Sequence, residues 1–270
     1  LLSVPAVVRQ NLGWWHPDAM AFLMVVVTFF FLDRDRLRFG LHFFLAAVSC
    51  GLVIGIKVYG VFFFLAIAGY LLAGLIQRRI DFKKAVWVAL AFIAIMAATV
   101  VITNPLLLNA SMRAKILKIH SDHQYYFTHG WDDSEVYRQG PLSWLPVITG
   151  WYGQGIFLLL ALASLGAAAW GGRQRQLNRL ILAWMAPYGL YVFFWIVIRP
   201  DHYWLPVLLP VFSSVLTFVD FRYRSWKGFL GELKARPWAT VLAPVATAIL
   251  AVQFVQNIGV AIELFRNVLG

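Results

Sequence analysis

Charge is scarce in this chain, and acid is the scarcer part of it. Only 13% of the 270 residues are charged, and 12 acidic side chains stand against 23 basic ones. Together with 61% hydrophobic residues and a mean hydropathy of +0.73, this excludes an ordinary soluble domain. Cysteine is nearly absent. Cys50 alone excludes an intrachain disulfide and says nothing about compartment. No P-loop, G-x-G-x-x-G, G-x-S-x-G, H-E-x-x-H or paired C-x-x-C occurs, so nucleotide hydrolysis is not expected. No cleavable signal pattern opens the sequence at Leu1, and no internal repeat or low-complexity stretch is evident.

What is present is a series of apolar runs, several approaching the ~20 residues that cross roughly 30 Å of hydrocarbon as helix. They predict an all-α integral membrane protein, one polytopic domain over residues 1–270. About eight transmembrane helices are expected, near 19–33, 40–56, 59–77, 85–107, 154–171, 180–198, 203–220 and 238–262. A loop subdomain of about 108–153 lies on the periplasmic or lumenal face. Gly51 and Gly55 form a G-x-x-x-G pair, a small face suited to close helix packing.

Four short gaps are basic. They hold Arg34, Arg36 and Arg38; Arg78, Arg79, Lys83 and Lys84; Arg173, Arg175 and Arg179; and Arg222, Arg224, Lys227, Lys234 and Arg236. If every run spans, these fifteen of the 23 basic residues share one side, and the positive-inside rule makes it cytoplasmic. That accounts for most of the net charge of +11 without a nucleic-acid partner. A bacterial inner membrane is the expected setting. The opposite, periplasmic face then collects five of the six histidines and the densest polar clusters. A chain that threads back and forth yet gathers its titratable groups on one face is building a site there.

His16-Pro17-Asp18 precedes the first run. Pro17 suits a helix's first turn, and Asp18 then meets the positive end of the helix dipole. The carboxylate serves either as a helix start or as a ligand or base at a cavity mouth. Lys57, in Gly55-Ile56-Lys57-Val58-Tyr59-Gly60, interrupts apolar sequence. It is either a boundary lysine or a cation aimed at a phosphate. His120, Asp122 and His123 offer metal-binding atoms, but i, i+2, i+3 spacing does not put all three on one helix face. Their stretch, with Asp132, Asp133 and Glu135, reads equally as a solvated loop. Arg199-Pro200-Asp201-His202-Tyr203-Trp204 carries more polarity than a tight turn requires, and Arg199 offers a planar fork for phosphate. Interface anchoring by Arg, Tyr and Trp is the plainer reading.

Trp15-His16-Pro17-Asp18, then Leu32-Asp33-Arg34, Lys57-Val58-Tyr59-Gly60, Asn104-Pro105, and Arg199, Tyr203, Pro206 and Pro210 resemble, in that order, polytopic glycosyltransferases of the C-type fold. Protein O-mannosyltransferase-like enzymes and lipid A aminoarabinose transferases are the groups most similar. The resemblance covers about 14–220, through loose motifs. It implies a sugar donor carried on polyprenyl phosphate, a hydroxyl acceptor and chemistry outside the cytoplasm. It places Asp18 near the donor phosphate or a divalent metal ion, Mg²⁺ or Mn²⁺ before Zn²⁺. It sets Lys57 facing that phosphate, with Arg199 and Tyr203 in the cavity wall; His16, Tyr59 and His202 join as binding candidates. The family's acidic first outer loop precedes these motifs, and residues 1–15 hold no acid. That loop therefore belongs to a preceding part of the chain, or this is a relative that keeps the fold within a larger membrane complex without the chemistry. A lipid-linked sugar transporter is a third reading, disfavoured by few charges within the runs and no inverted repeat.

Overall fold

The computed structural model describes residues 4–12, 17–132, 134–171, 174–217 and 237–269. His16, Asp133, Arg173 and the last basic gap, 222–236, lie outside the described residues. Among the described residues the regular elements are all helical: α1 (Pro5–Leu12), α2 (Pro17–Asp35), α3 (Leu41–Ile56), α4 (Phe64–Ile76), α5 (Phe82–Thr103), α6 (Ala110–His129), α7 (Trp144–Trp151), α8 (Gly155–Gly171), α9 (Arg175–Trp195), α10 (Leu205–Ser213) and α11 (Pro237–Leu269). Short 3-10 turns link several of them.

Local chemistry sets the ends. Pro17 opens α2 in the position where its missing N–H has no partner to lose. Asp81 caps α5, its side chain accepting the Lys84 N–H at 2.8 Å. Asn104 ends α5, and its side-chain amide donates to the Gly55 carbonyl at 3.3 Å, tying that end to the end of α3. The Asn104-Pro105 pair is thus a helix stop with a tether.

The core forms where α2, α3, α4, α5 and α9 lean together. Phe43 stacks on Tyr70 and meets Phe92 at ring-centroid distances of 5.7 and 5.0 Å. Phe63 stacks on Trp184 at 4.3 Å. Successive helices run up and down, which gives the bundle two ends. Asp18, Lys57 and Asn104 belong to one. Asp33, Arg36, Gln77 and Arg175 line a common cleft at the other.

The all-α class stands and the span count changes. Among the described residues three helical stretches are long and apolar enough to cross a membrane: Tyr59–Ile76, Phe82–Thr103 and Ala243–Asn267. A fourth crossing exists if Pro141–Trp151 and Gly155–Gly171, bent by 98°, act as one. Eight spans, one per apolar run, are not supported. The α3 helix has only 16 residues, about 24 Å of rise, and α10 has nine, about 14 Å. Asp18, Asp33, Arg34 and Asp35 load α2 with charge, and Asn178, Arg179 and Pro187 dilute α9. The 203–220 run continues beyond Thr217 outside the described residues.

The expected loop over 108–153 is largely folded. Asn109 caps α6 by accepting the N–H groups of Ser111 and Met112. Gly130, at φ +92°, ends the helix, and a Cβ there would fall 2.4 Å from the Tyr137 ring. No residue of α6 is buried, so its polar sequence reflects an exposed helix rather than an irregular loop.

Candidate functional site

Two helix ends create the site. Asp18 lies in the first turn of α2, where the dipole is positive. Lys57 is the C-cap of α3, its own N–H returning to the Val53 carbonyl at 2.7 Å. There the dipole is negative, so each charge sits at the pole that stabilises it. Because α2 and α3 are antiparallel neighbours, these ends coincide. Lys57 Nζ lies 3.2 Å from Asp18 Oδ1. Asp18 is 2% exposed and the Lys57 side chain 28%, so the carboxylate is interior and the ammonium is the part that can meet a ligand.

A third element completes the cluster. The 3-10 turn Asp201–Trp204 follows α9 and carries His202 inward. Its Nε2 stands 3.5 Å from Asp18 Oδ2 and its Nδ1 3.8 Å from Asp201 Oδ1. These are electrostatic rather than ideal hydrogen-bond distances. Each ring nitrogen faces a carboxylate, so whichever carries a proton has an acceptor nearby. Arg9 of α1 closes the row: Nη1 is 3.4 Å from Asp201 Oδ2, and the guanidinium lies 4.6 Å above the Trp151 ring. The order is Arg9, Asp201, His202, Asp18, Lys57. Burial works to raise the Asp201 pKa, but His202 and Arg9 outweigh it and hold the carboxyl below its usual value. Tyr152 anchors the turn by donating its hydroxyl proton to the Asp201 carbonyl.

Around this row lie polar atoms with no hydrogen-bond partner among the described residues: the Tyr59 hydroxyl and the indole nitrogens of Trp144 and Trp204. Tyr59 follows Lys57 directly, lies within electrostatic reach of Asp18, and packs on Tyr188 at 5.3 Å. Trp144 and Trp204 meet edge to face at 5.7 Å. Buried donors of this kind ordinarily find a partner.

Other expected residues fall elsewhere. Arg199 spends its fork on the chain itself. Nη1 donates to Val136 and Val197 carbonyls at 3.0 and 2.8 Å, and Nη2 to the Gln139 carbonyl at 2.6 Å. It clamps the 134–140 segment onto the turn. Tyr203 packs edge-on against Phe127 at 5.8 Å, and its carbonyl accepts the Tyr188 hydroxyl at 2.9 Å. His120, Asp122 and His123 are exposed on α6. Among the described residues no three His, Cys, Asp or Glu side chains converge as a metal donor set. Asp18 and Asp201 already face Lys57 and Arg9.

Arg9 was not anticipated. A signal existed: it is one of few cations outside the basic gaps, on the face that collects the titratable groups. Set against known proteins, the chain matches no family model, no curated protein and no solved structure.

Proposed function

We propose that this chain is the membrane core of a glycosyltransferase-like protein that moves a sugar from a polyprenyl-phosphate donor to a hydroxyl acceptor on the non-cytoplasmic face of a bacterial inner membrane. The observation that supports this reading is the meeting of Asp18, Lys57 and His202, residues far apart in sequence, in one partly open polar cluster beside buried donors that have no partner among the described residues. In the reaction the acceptor oxygen bonds to the anomeric carbon as the bond to phosphate breaks. The phosphate leaves with negative charge and the acceptor proton must go to a base. The exposed portion of Lys57 is suited to the leaving phosphate as a point charge. His202 is suited to accept the proton. Asp18, interior to both, holds them in register.

The test uses vesicles carrying the protein and a labelled polyprenyl-phosphate sugar, with release of polyprenyl phosphate as the readout. Wild-type protein releases it, and Lys57→Ala and Asp18→Asn lose release while remaining inserted and helical. Near-normal release by both variants removes them from the site. Movement of intact donor between leaflets points instead to a transporter.

One observation favours a second reading, a non-catalytic subunit of a larger membrane complex. Asp18 and Lys57 also neutralise adjoining helix ends, and Arg199 is committed to backbone carbonyls, both of which are structural tasks. A folded wild-type chain that consumes no donor in any lipid supports this reading.

A further inference from the structure

The end of the bundle opposite Asp18 carries a cleft that the proposed transfer does not use. It has a volume of about 460 Å³ and is lined by Arg36, Arg79 and Arg175, with Gln77, Gln176 and a single acid, Asp33, among its other walls. That volume lies within the range of small-ligand sites. Asp33 is fifteen residues from Asp18 along α2, so the cleft lies about 22 Å from the Asp18 cluster. The three guanidinium groups come from three separate places: the turn after α2, the turn after α4 and the first residue of α9. Among the described residues none of them forms an ion pair.

The three arginines are exposed, and two further observations bear on how they are presented. First, the turn that presents Arg36 is held in an unfavourable backbone. Arg36, Leu37 and Phe39 have φ of 52°, 59° and 57°, and Arg78, beside Arg79, has 54°. A buried carboxylate fixes this turn: Asp35 accepts the Phe39 and Gly40 N–H groups at 2.9 and 3.0 Å and lies 2.7 Å from the Tyr70 hydroxyl. Tyr70 in turn accepts the Leu37 N–H at 2.7 Å. Second, the start of α9 points at the cleft. Its N-cap, Gln174, makes no side-chain capping bond, and the first N–H groups of a helix have no intrahelical acceptor. Guanidinium forks plus a helix N-terminus make a phosphate receptor.

We infer that the Arg36–Arg79–Arg175 cleft binds a phosphate ester, supplied either by the headgroup of an anionic membrane lipid or by a soluble phosphate. The position favours the lipid. The cleft is at the end of helices long enough to cross a bilayer, where basic pockets meet headgroups. The proposal is independent of the transferase reading and needs no transfer activity for its test.

The test measures binding by the detergent-purified full chain, through native mass spectrometry and thermal shift, with three probes: phosphatidylglycerol, phosphatidylcholine and inorganic phosphate. Wild-type protein retains phosphatidylglycerol over phosphatidylcholine, and R36Q/R79Q/R175Q binds it roughly tenfold or more weakly. A charge-matched control on α6 and its following turn, K115Q/K118Q/R138Q, keeps wild-type binding. Arg175→Gln alone serves if the triple variant loses helicity, with a smaller loss of the same sign. Inorganic phosphate binding that is lost in the cleft variant, without lipid preference, identifies the soluble source. Equal weakening in cleft and control variants, or no binding of either anionic probe, overturns the proposal.

Discussion

At the residue scale, Asp18 and Lys57 were visible in sequence as charges beside apolar runs, but not as partners of each other. A lysine between apolar runs and a buried carboxylate at the start of one are costly unless they meet a partner, and here they meet each other. Arg199 was legible as unusual but not in role, because two of its acceptors are the Val136 and Gln139 main-chain carbonyls, about 60 positions away, which no side-chain pattern announces. Tyr59 offers a sharp test. Its hydroxyl is buried with no partner among the described residues, so Tyr59→Phe removes a desolvated group and breaks no bond. Stability should hold within about 0.5 kcal/mol or rise, by thermal melts in detergent. If the hydroxyl is a handle for donor, the same variant raises the KM for donor; an unchanged KM leaves Tyr59 as packing only. Asp201 gives the pH dependence. Its carboxyl is held below the usual value near 3.8, so the folded state binds that proton less readily than the unfolded state. The resulting stabilisation is complete above the usual carboxylate range and is lost as pH falls through and below it. Wild-type melting temperature should therefore drop in acid, and Asp201→Asn should be less stable at neutral pH with a shallower acid decline. An identical acid profile in the variant would show that Asp201 does not contribute.

At the element scale, α3 and α5 pack as the G-x-x-x-G pair suggests, and the reason is now atomic. A Cβ on Gly51 would lie 2.7 Å from the Met96 carbonyl oxygen, and one on Gly55 would lie 2.7 Å from Thr103 Oγ1. The first neighbour is backbone and cannot swing away, so Gly51→Ala must separate the helices. A loss of about 1–3 kcal/mol is expected, read as a lower melting temperature. A larger change, Gly51→Leu, should also weaken the Asn104 tether to Gly55 and with it the setting of Lys57, two residues further on. Unaltered melting in both variants would refute the close approach. The α6 helix was the element least legible in sequence. Polar and apolar residues are mixed along it and none is buried, so its apolar residues mark no core face; only its Asn109 cap and the Gly130 stop mark the ends. The opposite error came at α10, where an apolar run promised a crossing and the helix stops after nine residues.

At the scale of the whole molecule, hydropathy pointed to apolar helices but promised more crossings than the described helices support, because it counts apolar residues and not the length of unbroken helix. The two ends of the bundle nonetheless remain distinct, and α9 measures their separation. At its C-terminal end Tyr191 bonds to Gln124 of α6 at 2.8 Å, and the Val197 N–H reaches the Phe127 carbonyl just beyond it. At its N-terminal end Arg175 and Gln176 line the basic cleft. Twenty-one helical residues rise about 31 Å, a separation of the two ends that does not depend on α9 itself being apolar enough to cross. A chain embedded along that axis holds Ser121 and Gln176 in opposite aqueous phases. The lone native cysteine makes this measurable. Cys50 is buried, so in a Cys50→Ser background each of Ser121→Cys and Gln176→Cys reports by itself. In sealed right-side-out vesicles a membrane-impermeant maleimide should label position 121 at once and position 176 only after permeabilisation. That order is the one expected from the positive-inside rule, since Arg36 and Arg79 line one cleft with Gln176. Labelling of both positions from the same side would mean that α9 lies along the membrane, and the Asp18 cluster would then lose its claim to a separate face.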